Sequence, residues 1–94
     1  MNIELEVEKI IKLVFPTYAN DNWDNVVLID GLIGHYITLI ENLVVREKDK
    51  MLFKLSAYQY IRGKLYFDID HNLNDTLNKL KMVTVKLLNI INTP

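Results

Sequence analysis

The chain has 94 residues, of which 50% are hydrophobic and 24% are charged, and its formal net charge is −1. This size fits one domain over residues 1–94, and the apolar content supplies a core, which excludes a disordered chain. The lack of cysteine excludes disulfides and thiolate zinc sites, the balanced charge disfavours a nucleic-acid binder, and the few glycines and prolines disfavour a β-sandwich.

One face of the first predicted helix is apolar, and its members recur at helical spacing: Ile3, Val7, Ile10, Ile11 and Val14. Proline disfavours helical geometry at the residue before it. Because Pro16 follows Phe15, we expect this helix to end near Val14 or Phe15.

A second helix is predicted from Trp23 to Val44, after a polar turn that supplies a capping residue. Its polar positions form one narrow stripe, so the helix must be covered on several sides, either at the centre of a bundle or at an interface. Gly31 and Gly34 within it indicate either the close approach of a neighbouring helix or a kink. The stripe consists of Asp30, Gly34, Thr38 and Glu41.

The third helix is predicted from Lys50 to Arg62, with Gly63 ending it as a left-handed C-cap. Residues 64–67 are then expected to form a short extended link. We expect Asp68 to cap the following helix. The predicted apolar face of this third helix consists of Met51, Leu52, Leu55, Tyr58 and Ile61.

The fourth helix carries a heptad-like seam that contains a single polar residue, Thr84. Such a seam suits left-handed antiparallel packing. Four helices joined by short links predict an all-α fold, an antiparallel four-helix bundle, whose last residues 92–94 should fray. The seam consists of Leu73, Leu77, Leu80, Thr84, Leu87 and Ile91.

Catalytic and metal-binding patterns are weak. Asp68, Asp70 and His71 form either a metal cluster or a charged helix start, and the helix start is favoured because no second cluster at ligand spacing exists. His35 is interpreted as a structural histidine, and Ser56 has no histidine near it in sequence. The sequence therefore predicts no catalytic residue, metal or cofactor, and an enzyme is the least supported class.

Charge is divided unevenly along the chain. Residues 1–45 hold seven acids and two bases, whereas residues 46–94 hold nine bases and five acids. A basic second half suits an acidic surface, such as the inner leaflet of a membrane or another protein, although plain solubility is the favoured explanation. The aromatic residues nearby are explained by core packing or by protein binding, with nucleic acid a minor option. The candidate partner-binding residues are Lys54, Arg62, Lys64, Tyr66, Lys79, Lys81 and Lys86.

A longer pattern covers residues 51–82. It consists of the run 51–58 (MLFKLSAY), the run 64–68 (KLYFD), and a helix containing Asn72, Leu77, Leu80 and Lys81. In these features the chain resembles the pediocin-like (class IIa) bacteriocin immunity proteins. Members of that family continue past the fourth helix with a tail that helps recognition, which these 94 residues do not include.

The resemblance implies a cytosolic four-helix bundle that protects a bacteriocin producer from its own peptide. Family members act on the sugar-phosphotransferase permease that the bacteriocin uses as its receptor, and their C-terminal half carries specificity. This role implies a protein partner and peripheral contact with the inner face of the membrane. With no signal peptide visible, we expect a cytoplasmic location. The alternative is an oligomeric helical adaptor or small regulator, possible as a homodimer through the second helix.

Overall fold

A computed structural model describes residues 2–15, 26–67 and 73–93, with the backbone alone at 26–29, 64–67, 73–74 and 76. Over these ranges the chain forms four α-helices and no strand, which confirms the all-α prediction. Short 3-10 turns at Glu41–Leu43 and Glu47–Asp49 connect the second helix to the third. The helices are α1 (Ile3–Val14), α2 (Val26–Ile40), α3 (Lys50–Phe67) and α4 (Leu73–Asn92).

The buried face of α1 and its C-terminal end both agree with the prediction. Val7, Ile11 and Val14 are buried, and Phe15 is the residue that ends the helix. At the start, the Asn2 side-chain oxygen accepts a hydrogen bond from the backbone N–H of Leu5 at 3.2 Å. This cap satisfies one of the N–H groups that a helix start leaves unpaired, and the sequence analysis did not predict it.

Cross-helix contacts define the direction of three helices. Asp30 near the start of α2 pairs with Arg62 late in α3, and Glu41 just after α2 pairs with Lys54 early in α3, so α2 and α3 are antiparallel. Tyr36 of α2 contacts Thr84 of α4, and Leu43 contacts Asn92, so these two helices run in the same direction. Helix α1 packs against α2 and α4, which completes the predicted bundle.

In the core formed by the described residues, two polar side chains, Tyr36 and Thr84, contact each other. The Tyr36 hydroxyl donates to Thr84 Oγ1 at 2.7 Å, and the Thr84 hydroxyl donates to the Leu80 carbonyl at 2.8 Å. Phe15 meets the Tyr36 ring edge-on, with 5.5 Å between the ring centroids. Burial raises the pKa of the Tyr36 phenol far above its usual range, and the hydrogen bond to Thr84 only partly opposes this. The polar residue in the α4 seam therefore has a definite partner.

Helix α2 ends earlier than predicted. Its α-helical part stops at Ile40, and the chain continues as a 3-10 turn to Leu43 instead of remaining α-helical to Val44. The expected close approach of a neighbouring helix does not occur, because a Cβ added at Gly31 or Gly34 would meet nothing within 4 Å. The α-helix is unbroken through both glycines. The exposed positions of α2 from residue 31 onward, together with the turn after it, are Gly31, His35, Thr38 and Asn42.

The predicted end of the third helix is wrong. Helix α3 continues through Gly63 to Phe67, and Gly63 does not have the positive φ that a left-handed cap requires. Residues 64–67 are therefore the last turn of α3 and not an extended link. The expected cap at Asp68 lies outside the described residues.

The predicted apolar face of the third helix is also largely wrong. The side chains that α3 buries in the core are Phe53, Ala57 and Ile61, which recur every four residues. Tyr58 packs partly against the core, whereas Met51, Leu52 and Leu55 are exposed. Helix α3 thus has two apolar faces, and sequence periodicity alone favoured the one that faces solvent.

The predicted fraying of residues 92–94 is wrong for Asn92 and Thr93, which are hydrogen-bonded, whereas Pro94 lies outside the described residues. The Asn92 side chain accepts from the Val45 N–H at 2.9 Å and donates to the Leu43 carbonyl at 3.0 Å. Arg46 donates to the carbonyl of Ile91 and pairs with Asp49. These contacts attach the α2–α3 connection to the last turn of α4.

Candidate functional site

The exposed side of α3 carries a cluster of large apolar side chains. Met51, Leu52 and Leu55 are 73%, 60% and 66% exposed, although they lie within about one helical turn of each other. Basic residues lie at both ends of this cluster, Lys48 one turn before it and Arg62 two turns after it. We call the three exposed apolar residues, Met51, Leu52 and Leu55, the outer α3 face.

A groove runs between α2 and α3 beside the outer α3 face. It has two adjacent sections of about 350 Å³ each, and Lys54 and Leu55 line both of them. Gly34 lines the section of the groove that also contains Tyr58. Nothing lies within 4 Å of the position where a Cβ of Gly34 would be, so the missing side chain leaves the groove open there. In the other section, which Met51 also lines, the Lys54 ammonium lies 2.9 Å from the Glu41 carboxylate, and Glu41 is the more buried of the two.

A second, smaller groove of about 200 Å³ lies between α3 and α4. Ile90 is 64% exposed at its rim, and the exposed Lys86 lies one helical turn before it on α4. Tyr60 closes the groove from the α3 side. An aromatic ring, an aliphatic side chain and an ammonium group together suit a protein surface with one acidic group. We call this the α3–α4 groove; its lining residues are Tyr60, Val83, Lys86, Leu87 and Ile90.

Helices α3 and α4 are strongly cationic. Together they contain seven basic residues and one acidic residue, Asp75, so their formal charge is +6. Part of the charge on α3 is offset from α2, because Lys54 pairs with Glu41 and Arg62 pairs with Asp30. The charge of these two residues of α3 is therefore offset within the chain.

The predicted partner-binding residues do not form a single cluster. Lys54 and Arg62 face α2, whereas Lys79 and Lys86 are exposed on α4, seven residues apart on one side of that helix. Lys81 lines a pocket of about 450 Å³ between α4 and α1, together with Glu8. Lys64 and Tyr66 belong to the last turn of α3, and their side chains lie outside the described residues.

The residues considered for catalysis or metal binding are not brought together in the described part of the chain. His35 and Ser56 are exposed on different helices. The cluster of Asp68, Asp70 and His71 lies outside the described residues, and among those that are described no group of three potential metal ligands occurs.

The sequence analysis did not predict the exposed apolar side chains of the outer α3 face or of the α3–α4 groove. Met51, Leu52 and Leu55 were assigned to the predicted apolar face of the third helix, and Ile90 was not among the candidate partner-binding residues. The available signal was quantitative: each of these helices has more large apolar residues than one buried face can hold.

Comparisons with protein-family models, with curated proteins and with solved structures find no significant match. Over residues 2–15, 26–67 and 73–93, no helix combines the length and the hydrophobicity that crossing a bilayer requires.

Proposed function

We propose that this chain is a bacteriocin immunity protein that acts by contact with a protein partner and not by chemistry. In the producing cell it works from the cytoplasm on the receptor complex that the pore-forming peptide uses, a sugar-phosphotransferase permease in the family that the sequence resembles. The observation that carries the proposal is the α3–α4 groove, where the exposed aliphatic side chain of Ile90, the ring of Tyr60 and one basic residue, Lys86, lie together outside the core.

Two further features support the proposal. The chain has the all-α bundle that the resemblance implies, and the segment of resemblance, residues 51–82, contains most of α3 and the first half of α4. One feature differs from the expected pattern, because the Lys-Leu-aromatic-Phe run is helical and not extended. The run still precedes the connection between the third and fourth helices, so its position in the chain is consistent with the family.

The alternative, an oligomeric adaptor, rested on the nearly all-round apolar second helix. Between Ile33 and Ile40 the buried side chains of α2 pack within the chain. From residue 31 onward the exposed positions of α2 are Gly31, His35 and Thr38. The surplus of exposed apolar side chains lies on α3 and α4 instead. The immunity proposal, which uses those two helices, is therefore the better supported of the two.

The test is expression of the chain in a bacteriocin-sensitive strain, followed by exposure to a panel of pediocin-like peptides. We expect a raised inhibitory concentration for at least one peptide, and protection against none of them would contradict the proposal.

A matched pair of variants tests the surface itself. Ile90→Ser removes the aliphatic rim of the α3–α4 groove, whereas Leu13→Ser changes a side chain of similar exposure, 69%, on α1. We expect the first variant to lose protection and the second to retain it. Equal protection by both variants at equal cellular levels would show that the groove is not the contact surface.

A further inference from the structure

A pocket between α1 and α4 has no part in the proposed function. Its volume of about 450 Å³ lies within the range of sites that hold small molecules in proteins. The residues that line it recur at spacings of three and four on each helix, so they share one face of that helix. We call it the α1–α4 pocket; its lining residues are Glu8, Ile11, Lys12, Leu77, Asn78 and Lys81.

The floor of the α1–α4 pocket is apolar. Ile11 belongs to the buried core, and Leu77 is partly buried against the same core. Polar and charged side chains complete the lining on both helices. An apolar floor with a few polar groups beside it is the usual composition of a site for a small organic molecule.

The charges around the α1–α4 pocket are not balanced. Glu8 pairs with Lys12 on its own helix at 3.4 Å, so the one acid of the lining is already offset. Lys81 on the opposite wall is half-buried, whereas Lys79 and Lys86 of the same helix are exposed. Over residues 2–15, 26–67 and 73–93, no carboxylate forms an ion pair with Lys81. Two bases and one acid give the lining a formal charge of +1, and Lys81 is the base without a counterion.

We propose that the α1–α4 pocket binds a small monocarboxylate with an apolar body. The carboxylate pairs with the Lys81 ammonium, and the apolar body covers Ile11 and Leu77. An ion pair beside an apolar wall is stronger than one surrounded by water, because the wall lowers the local dielectric constant. The Asn78 amide on the same helix offers N–H donors to the same carboxylate. A doubly charged phosphate fits less well, since its second charge would lie opposite Glu8 without a base to offset it.

A carboxylate on an apolar body has two sources in a cell. One is a free aliphatic acid, and the other is the C-terminus of a peptide that ends in an aliphatic residue. Octanoate represents the first source and N-acetyl-leucine the second. The two probes have the same charged group and differ in the body that fills the pocket.

This inference goes beyond the proposed immunity function and does not rest on it. That function uses the α3–α4 groove on another side of α4 and a protein partner, whereas the α1–α4 pocket takes a small molecule. The two fail separately, because the binding experiment contains no bacteriocin and no permease.

The experiment is titration of the isotope-labelled full chain with each probe, followed by nuclear magnetic resonance of the backbone amides. We expect saturable binding of at least one probe with a dissociation constant of about 1 mM or tighter. The shifted amides should cluster at residues 8–12 and 77–81. Octanol and octylammonium, which have the chain of octanoate but no negative charge, should bind more weakly. Whichever probe binds more tightly identifies the source of the carboxylate.

A matched pair of variants tests the charge. Lys81→Met removes the ammonium and keeps an unbranched side chain, and we expect it to weaken carboxylate binding about three- to fivefold. It should leave octanol binding unchanged. Lys48→Met removes the same charge at an exposed position in the connection between α2 and α3, and it should leave both affinities unchanged. Circular dichroism reports the fold of both variants.

Three results would overturn the inference. The first is that neither probe binds saturably or that the shifted amides lie outside the α1–α4 pocket. The second is equal affinity for octanoate and octanol, because the site would then be an apolar depression without a role for charge. The third is an equal loss of affinity in Lys81→Met and Lys48→Met, since the effect would then come from the net charge of the chain and not from Lys81.

Discussion

Removal of the Thr84 hydroxyl should destabilise the chain even though Thr84→Val hardly changes side-chain volume. The Tyr36 hydroxyl donates to Thr84 at 2.7 Å, and both residues are completely buried. In the valine variant the phenol keeps its burial and loses its acceptor. A buried polar group without a partner costs about 1–3 kcal/mol, so we expect the free energy of unfolding to fall by that amount.

The reciprocal change should cost less. In Tyr36→Phe the Thr84 hydroxyl still donates to the Leu80 carbonyl at 2.8 Å, so only one hydrogen bond is lost, at about 0.5–1.5 kcal/mol. The double variant Tyr36→Phe/Thr84→Val removes both polar groups. It should be more stable than Thr84→Val alone, because no phenol is then left unpaired in the core.

The chain offers a matched control for this cycle. The Thr38 hydroxyl also donates to the carbonyl four residues earlier, at 2.8 Å, but on an exposed position. Urea denaturation of the four variants should place Thr38→Val within about 0.5 kcal/mol of the parent chain. Equal losses for Thr84→Val and Thr38→Val, or strictly additive effects in the cycle, would refute the buried hydrogen bond.

Three further measurements test other parts of the fold. Gly63→Ala should raise the free energy of unfolding by about 0.5–1 kcal/mol, because Gly63 is inside a helix with open space at its Cβ position; a loss would indicate the left-handed cap. Asn92→Ala should lower it by about 1–3 kcal/mol through its two lost hydrogen bonds, whereas Asn89→Ala, on an exposed position, should change it little, and equal effects would argue against the attachment of α4. The stability advantage of the parent chain over Tyr36→Phe should hold below pH ~10 and shrink as pH rises above it, because burial raises the phenol pKa in the folded state only; a difference independent of pH would contradict the burial of the phenol.

Helices with one apolar face were predictable from the sequence. In α1 the apolar positions form one row, so periodicity identified its core side, and Pro16 located its end. The seam predicted for α4 was correct at Leu80 and Thr84, which are buried. Its residues repeat with a seven-residue period, and such a repeat places one side of a helix against its neighbours. In both helices a single local rule decides the structure.

Helix α3 was not predictable in the same way. It has apolar residues on two sides, and the choice between Phe53–Ala57–Ile61 and Met51–Leu52–Leu55 depends on which side the other helices cover. Local signals at Gly63 were also misleading, because glycine is tolerated within a helix when the flanking turns continue it. Tertiary contacts decide both questions, and they are not visible in a single sequence.

The attachment of α4 was missed for a similar reason. Asn92 reads as a polar residue near the end of the chain, and its partners lie at Leu43 and Val45, almost fifty residues away. The candidate surfaces were not fully predictable for the same reason, because they too depend on contacts between distant parts of the chain. The charge of α3 and α4 was visible in the sequence, whereas the grooves, which two helices form together, were not.

The central claim about the fold is that α3 buries one apolar face and exposes the other. The most direct measurement compares Ile61→Ala with Leu55→Ala in urea denaturation, since the two changes remove aliphatic side chains of the same size from one helix. Ile61 is 1% exposed and Leu55 is 66% exposed. We expect losses of about 2–5 kcal/mol for Ile61→Ala and of less than about 0.5 kcal/mol for Leu55→Ala, whereas a large loss at Leu55 would show that its side chain lies in the core.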